Sequence, residues 1–336
     1  MRFFIKILLA MFVFLLLVSA ITWNQYQKFM TRPLQVSEQG YVYTVRSGSN
    51  LQQISRDLYD AELTHFPVQY FNIYGRLTNK AHSIKAGEYR IEPQMTLPQL
   101  LDLMIAGQVI QYSFTIVEGM TAQQLINMVV SDERFSKTLS DSTLPTVMKA
   151  LEQPTSNGEG EFAPETYHFT SGTTDTAILS RAYNLMTRNL EEAWKNKAEN
   201  LPYKTPYEAL IMASIIEKET GIAEERALIA GVFVRRLEVG MRLQTDPTVI
   251  YGLGANFDGN LRRKDLTTDT PYNTYTRHGL PPTPIALPSK ESIEAALHPQ
   301  AGKSLFFVAT GQDGRHIFSE TLADHNKAVR QYQLKQ

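Results

Sequence analysis

The segment Thr205-Pro-Tyr-Glu-Ala-Leu-Ile-Met-Ala-Ser-Ile-Ile-Glu-Lys-Glu-Thr-Gly221 decides the fold, because it predicts a core helix that ends on charged residues. Thr205 to Glu208 form a capping box with proline at the first helical position, and Gly221 suits a left-handed residue that ends a helix. The predicted helix spans about residues 206 to 220. Ala209 to Ile216 carry no charge, which is the pattern of a buried helix and not of an amphipathic surface helix.

Two glutamates lie at the only end of this helix that can reach water. Glu217 follows Ala213 by one turn, whereas Glu219 leaves the helix about 200° around the axis from Glu217. A given pocket can therefore face only one of them. Most glutamates near helix ends are solvated surface residues, but the apolar surroundings of this helix favour a carboxylate with a chemical role.

The composition excludes several classes of function. The 336 residues can hold two or three domains, and the net charge of −1, without an arginine-rich stripe, argues against a nucleic-acid partner. The absence of cysteine excludes disulfides, thiolate metal sites and thiol nucleophiles. None of the seven histidines forms a close metal-binding pair, and no glycine loop suits a phosphate, so we expect no metal and no cofactor.

The N-terminus predicts a membrane anchor. Ile7 to Trp23 is an uncharged stretch of 17 residues preceded by Arg2 and Lys6, long enough to span a bilayer. Val18 to Ala20 resembles a signal-peptidase site, so a cleaved signal peptide is the alternative. Because apolar character continues to an interfacial Trp23, we favour a retained helix.

The predicted topology is a single pass through the inner (cytoplasmic) membrane. The short positive N-terminus argues for a cytoplasmic start, with everything after Gln25 in the periplasm and facing the cell wall. A linker from Tyr26 to Gly40 would join the anchor to the rest of the chain.

Three segments in the first half share a strand, a turn and a helix. The strands are Tyr43-Thr-Val45, Tyr89-Arg-Ile91 and Phe114-Thr-Ile116, and the helices are capped by Asn50, Thr96 and Thr121. Duplication and chance remain equally open as the origin of this pattern. The first segment resembles the opening of a LysM peptidoglycan-binding repeat, which favours a glycan-binding module.

The second half contains further helices. A long amphipathic helix is predicted from Asp175 to Lys197, and another helix opens on Glu224-Glu225 and closes on Arg235-Arg236. Between the two halves, the polar stretch from 127 to 160 ends in a flexible connector, Thr155 to Gly160.

Four ordered blocks closely resemble the signature of the YceG-like family of endolytic murein transglycosylases. They are Ala213-Ser-Ile-Ile-Glu-Lys-Glu-Thr220, Arg242-Leu-Gln-Thr-Asp-Pro-Thr-Val-Ile-Tyr-Gly252, Tyr272-Asn-Thr-Tyr275 and Gly279-Leu-Pro-Pro282. The resemblance extends to Glu159-Gly160 and to the tail from Phe307 to Asn326, and so covers nearly everything beyond the membrane segment. Where the family usually has Phe-Pro-Asp-Thr-Tyr, this chain has Ala163-Pro-Glu-Thr-Tyr167, which leaves the role of residue 165 open.

The resemblance implies a lyase that cleaves the MurNAc–GlcNAc bond within nascent peptidoglycan strands and leaves a 1,6-anhydroMurNAc end. By the resemblance Glu217 is the single catalytic glutamate. It would first protonate the glycosidic oxygen and then remove the proton of the sugar's C6 hydroxyl, which requires a pKa raised towards about 6. The substrate-binding residues would be Glu219, Gln244, Thr245, Asn273 and Tyr275. Buried amides and ring packing are the alternative roles of Gln244, Asn273 and Tyr275.

Two other functions remain open. Asp246 is expected to open a turn before Pro247, but as a second carboxylate it would make the protein a conventional muramidase. A non-catalytic peptidoglycan-binding membrane adaptor is the other alternative.

The predicted architecture is α+β, with a mixed α/β catalytic domain built on a buried catalytic helix. Residues 1–26 are predicted to be a cytoplasmic stub and transmembrane helix, 27–110 a linker and small LysM-like subdomain, and 111–336 the YceG-like catalytic domain. The expected partners are peptidoglycan strands and a peptidoglycan synthase complex.

Overall fold

The computed structural model describes residues 2–311 and 313–334, and the chain divides into two compact units. Unit 1 comprises the residues up to Tyr112 together with His168–Gly172, and unit 2 comprises Ser113–Tyr167 and the chain from Thr173 onward. Helices and short pairs of strands alternate along the chain, which confirms a mixed α and β architecture.

Helix α1, Arg2–Thr31, is apolar and long enough to cross a membrane, with a mean hydropathy of 2.8 over its most apolar window. The helix extends into the segment from Tyr26 to Gly40 that the sequence predicts as a linker. It continues to Thr31, and Phe29 is buried among the rings of Phe66, Tyr70 and Tyr74. Burial of this aromatic side chain holds the end of α1 against unit 1.

Unit 1 is built on one antiparallel pair of strands. Strand β1, Tyr41–Val45, pairs with β2, Gly87–Ile91, and the helices α2, Leu51–Asp60, and α3, Val68–Leu77, lie between them in the chain. Helix α4, Leu97–Ala106, follows β2. The predicted caps are confirmed, because Asn50 and Thr96 each form a complete capping box at the start of α2 and α4.

The remaining elements before the core helix are strands β3, Gln111–Thr115, and β4, Thr166–Thr170, which pair with each other, and helices α5, Ala122–Ser131, α6, Leu144–Ala150, and α7, Asp175–Lys195. Thr121 caps α5 with the third predicted capping box. The strand, turn and helix pattern therefore describes the local structure of all three segments.

Helix α8, Pro206–Glu219, is the centre of unit 2. Every residue from Ala209 to Ile216 is buried. Helix α8 packs against α7 and against three later helices: α9 (Ala223–Glu238), α10 (Asp246–Leu253) and α12 (Lys290–Leu297). Each large apolar side chain buried here contributes about 1.5–3 kcal/mol. The predicted left-handed Gly221 is wrong, because Thr220 is extended and its hydroxyl accepts the Ile222 N–H to turn the chain.

The C-terminal part of unit 2 adds a β-hairpin and a helix. Strand β5, Phe306–Ala309, pairs antiparallel with β6, His316–Ser319, and α13, Leu322–Tyr332, packs on both. Strand β5 also contacts α9. A short helix α11, Arg263–Thr267, lies in the loop after α10.

Candidate functional site

The last turn of α8 sends its two glutamates in different directions, as the helical period predicts. Glu217 bonds to the segment before α12, whereas Glu219 bonds to the loop before α10. Their surroundings differ in bonding and in access to a cavity. The two carboxylates can therefore be judged separately.

The carboxylate of Glu217 is occupied by the N-terminus of α12. Its Oε2 accepts from the Ser289 N–H at 2.8 Å, from the Ser289 hydroxyl at 2.5 Å and from the Ser292 hydroxyl at 2.7 Å. Ser289 is itself the N-cap residue of α12. An acceptor at this position satisfies donors that a helix N-terminus leaves unpaired. Glu217 therefore links α8 to α12.

Glu219 lines a cavity of about 520 Å³ within unit 2. Residues of β5, β6 and α13 form one part of its wall. The polar lining residues are Glu219, Arg236, Gln244, Thr245, Asp246, Tyr275, His316, His325, Asn326 and Gln333. This is a concave site with convergent polar groups, the usual form of a small-ligand or active site.

Glu219 is also the carboxyl group whose protonation the site alters most. Burial raises its pKa to about 7; the hydroxyl of Thr245 donates a hydrogen bond that opposes the shift, and the nearby charge of Asp246 adds to it. The charges of His316 and Arg236 oppose it more weakly. A group with a pKa near 7 can both donate and accept a proton at neutral pH.

Hydrogen bonds from backbone N–H groups join two of the sequence blocks beside this cavity. The N–H of Gln244 donates to the carbonyl of Thr274 at 3.2 Å, and the N–H of Thr245 donates to the Thr274 hydroxyl at 3.1 Å. Gln244 has a positive φ of 50°, an uncommon conformation for a side chain of this size. The strained turn exposes Gln244 at the cavity wall, beside the buried Thr245.

Asn273, predicted to bind substrate, does not line this cavity. The residue is fully buried. Its amide nitrogen donates to the carbonyls of Asp265, Leu266 and Thr268, and its oxygen accepts the N–H of Tyr275 at 2.9 Å. Asn273 thus fixes the loop that carries Tyr275, which is the buried-amide role that the sequence left open.

Asp246 lies at the first position of α10, as its place before proline predicts, and it also lines the cavity. The hydroxyl of Tyr275 donates to Asp246 Oδ1 at 2.6 Å. Burial, together with this bond and the charge of Asp246, raises the pKa of Tyr275. The phenol therefore stays protonated and keeps its orientation.

Several cavity residues were not predicted as site residues. Arg236 is buried and donates to the carbonyls of Leu305 and Leu243, which places a fixed positive charge near Glu219. His316 bonds through Nδ1 to the buried Glu225 at 2.7 Å. His325 stacks on Phe306, and its Nδ1 is buried without a hydrogen-bond partner. The sequence signal for this group was the tail that ends at His325-Asn326, since only the fold brings that tail to α8.

These features define an α+β protein that has an apolar helix long enough to cross a membrane, and a polar cavity around a glutamate suited to acid–base chemistry. The profile of the YceG-like family matches residues 43–331, and the chain belongs to this family.

Two curated relatives carry the same name. The chain is 31% identical over 327 residues to the endolytic murein transglycosylase of Bacillus subtilis, an alignment that covers 91% of this chain and 89% of that protein. It is 29% identical over 356 residues to the endolytic murein transglycosylase of Streptococcus pneumoniae strain D39, covering 95% of this chain and 64% of that longer protein.

A solved structure agrees with the fold. The crystal structure of a yceG-like protein from Listeria monocytogenes is 30% identical in sequence and superimposes with a TM-score of 0.53. The match covers 87% of this chain and 99% of the Listeria chain.

Proposed function

We propose that this protein is an endolytic murein transglycosylase, a lyase that cuts the MurNAc–GlcNAc bond inside peptidoglycan strands. The observation that carries the proposal is the match to the YceG-like family over residues 43–331, together with the polar cavity that Glu219 lines. The names of the two curated relatives support the same activity.

The proposed mechanism needs one titrating group. Protonated Glu219 donates its proton to the glycosidic oxygen as the bond from C1 of MurNAc breaks. The resulting carboxylate then removes the proton from the C6 hydroxyl of the same sugar, whose oxygen bonds to C1 and closes the 1,6-anhydro ring. No water is consumed and Glu219 ends protonated, ready for the next cycle. A pKa near the working pH suits a group that acts as acid and then as base.

The geometry favours Glu219 over Glu217, to which the sequence assigned this role. Three donors already converge on one oxygen of Glu217, and a proton transfer at that oxygen would have to displace them. Glu219 accepts from one hydroxyl, that of Thr245, and faces the cavity. Glu217 remains the alternative acid, and paired variants decide between them.

The other cavity residues have supporting roles in this proposal. Thr245 orients the carboxyl group of Glu219, and its hydrogen bond limits how far burial raises the pKa. Gln244 and Tyr275, at the cavity wall, would contact N-acetyl and hydroxyl groups of the glycan. Arg236 would stabilise the carboxylate after proton transfer, because its charge already favours the ionised form.

The proposed setting is the outer face of the inner membrane. The helix α1 would span the bilayer once with its N-terminus in the cytoplasm. Phe29 lies about 9 Å along the helix from Trp23, the residue expected at the membrane interface. Since Phe29 is packed into unit 1, that unit would be held near the membrane surface, where new glycan emerges. The order strand, helix, helix, strand in unit 1 supports a LysM-like glycan-binding module. Cuts inside nascent strands would limit their length, with a peptidoglycan synthase as a neighbour.

A muramidase is the second candidate, because Asp246 places another carboxylate in the same cavity. In that case Asp246 would act as a nucleophile or base and the products would carry reducing ends. The bond from Tyr275 to Asp246 argues for a positioning role instead. Asp246→Asn should retain partial activity if the sugar's own hydroxyl is the nucleophile, and complete loss without loss of stability would favour the muramidase.

Digestion of purified sacculi tests the proposal. The wild-type protein should release fragments with anhydro ends from within strands, and Glu219→Gln should release none. A non-catalytic adaptor would bind the sacculi and release nothing. In cells, loss of Glu219 should lengthen the glycan strands, and an unchanged length distribution would contradict the role in strand termination.

A further inference from the structure

Unit 2 contains a second cavity, of about 610 Å³, that the proposed mechanism does not use. It lies between α7, the first turn of α9, the start of α12 and the segments around residues 118 and 164. Its charged lining residues are Arg226, Lys290, Glu118, Glu165 and Glu291. We refer to it as the Arg226 cavity.

Arg226 is the unexplained group in this cavity. Its Nε is buried and has no hydrogen-bond partner, and the guanidinium forms no ion pair with any residue in the described ranges. A buried donor left unpaired costs about 1–3 kcal/mol, and more when the group is charged. By contrast, Arg235 and Arg236 on the same helix α9 bond to backbone carbonyls. The unpaired guanidinium has the geometry that binds a carboxylate in two-point fashion.

The other charges specify the ligand further. Lys290 adds a second cation, and three carboxylates line the remainder of the cavity. A phosphate or another simple anion would face those carboxylates, and a neutral sugar would leave Arg226 unpaired. A ligand with both carboxylates and an ammonium group satisfies both sets of charges.

The position of the cavity relates it to the glycan site. Ser289 lines the Arg226 cavity and bonds to Glu217, on the opposite face of α8 from Glu219. Both glutamates stand on the last turn of α8, so the Arg226 cavity adjoins the end of the helix that carries the proposed acid.

We propose that the Arg226 cavity binds the peptide stem of the peptidoglycan strand, with Arg226 and Lys290 on its carboxylates and the glutamates on an ammonium group. The inference rests on the proposed function, because it assigns a second contact to the same substrate. It predicts an enzyme that cuts strands bearing peptides better than bare glycan.

The test compares two substrates and three variants. Peptide-bearing strands and strands stripped of peptides by an amidase are cleaved by the full-length protein in detergent, and kcat/KM is measured for each. Arg226→Gln should lower kcat/KM on peptide-bearing strands about tenfold, the worth of one charge-assisted contact, and leave that on stripped strands unchanged. Lys290→Gln should act in the same direction, and Arg263→Gln, an exposed charge on α11, is the matched control.

Binding of a free stem tetrapeptide, measured by calorimetry, provides a second readout that needs no turnover. Wild type should bind it and Arg226→Gln should bind at least about tenfold more weakly. Equal kcat/KM of the wild type on both substrates, or equal losses on both in Arg226→Gln, would overturn the inference. Absence of anhydro products from either substrate, with peptide binding intact, would instead overturn the proposed function.

Discussion

Replacement of Glu219 by glutamine should stabilise unit 2 at alkaline pH. Because the pKa of Glu219 is raised in the folded protein, the native state binds its proton more tightly than the unfolded chain does. The native state therefore loses stability as the pH rises from the ordinary glutamate pKa through about 7, and the loss is complete above that range. Glutamine is uncharged at every pH and can still accept the Thr245 hydrogen bond.

The size of the effect follows from the shift. The pKa moves from 4.5 to about 7, and each unit corresponds to about 1.36 kcal/mol. The upper limit is therefore about 3 kcal/mol, and partial access of water to the cavity reduces it to roughly 2 kcal/mol. Glu219→Gln should gain this amount of unfolding free energy over wild type between about pH 4.5 and pH 8.5.

The chain offers a clean assay, since it has two tryptophans. Trp23 lies on α1 and Trp194 packs against the core of unit 2. In a Trp23→Phe background, Trp194 emission reports urea unfolding of unit 2 in detergent at both pH values. A difference between Glu219→Gln and wild type that is the same at both pH values would refute the argument that the buried carboxyl group carries a raised pKa.

Glu217→Gln should destabilise unit 2 by about 1–3 kcal/mol, because a neutral amide oxygen accepts the hydrogen bonds of Ser289 and Ser292 more weakly than a carboxylate does. Strand cleavage should persist within about tenfold of wild type, and complete inactivity of a folded variant would return the catalytic role to Glu217. The alkaline limb of wild-type kcat/KM should have its midpoint near the pKa of Glu219, about 7, since the first step needs the protonated acid. Thr245→Val removes a bond that lowers the pKa of Glu219, so this limb should move to higher pH, and a shift to lower pH would contradict the role of Thr245. Asn273→Ala should lower the unfolding free energy by roughly 2–4 kcal/mol, because its loop hydrogen bonds are lost. An unchanged unfolding free energy in a denaturant titration would contradict the structural role of Asn273.

Local structure was largely readable from the sequence. Pattern and capping residues predicted α8 within one residue at its C-terminal end, and the caps at Asn50, Thr96 and Thr121 were each found. These features depend on neighbours within a few positions, which the sequence shows directly.

The function of each glutamate could not be predicted in the same way. The period of α8 showed that Glu217 and Glu219 face different surroundings, but not which surroundings. Those are set by Ser289, 72 residues beyond Glu217, and by Thr245, 26 residues beyond Glu219. For the same reason the sequence left two roles open for Asn273, since an amide that fixes a loop and an amide that binds a sugar look alike in sequence.

The end of helix α1 could not be predicted from the sequence either. Hydropathy predicted the apolar segment, but the chain from Tyr26 to Gly40 was predicted as a linker. The helix continues to Thr31 because Phe29 finds an aromatic pocket made by Phe66, Tyr70 and Tyr74, more than 35 residues further along the chain. Only the tertiary fold of unit 1 contains that information.

The most direct test of the central claim is the mass-spectrometric determination of end groups after digestion of peptidoglycan by wild type, Glu219→Gln and Glu217→Gln. Wild type and Glu217→Gln should produce multi-disaccharide fragments with 1,6-anhydroMurNAc ends, and Glu219→Gln should produce no fragments. Reducing ends from the wild-type protein, or anhydro products from a folded Glu219→Gln at the wild-type rate, would contradict it.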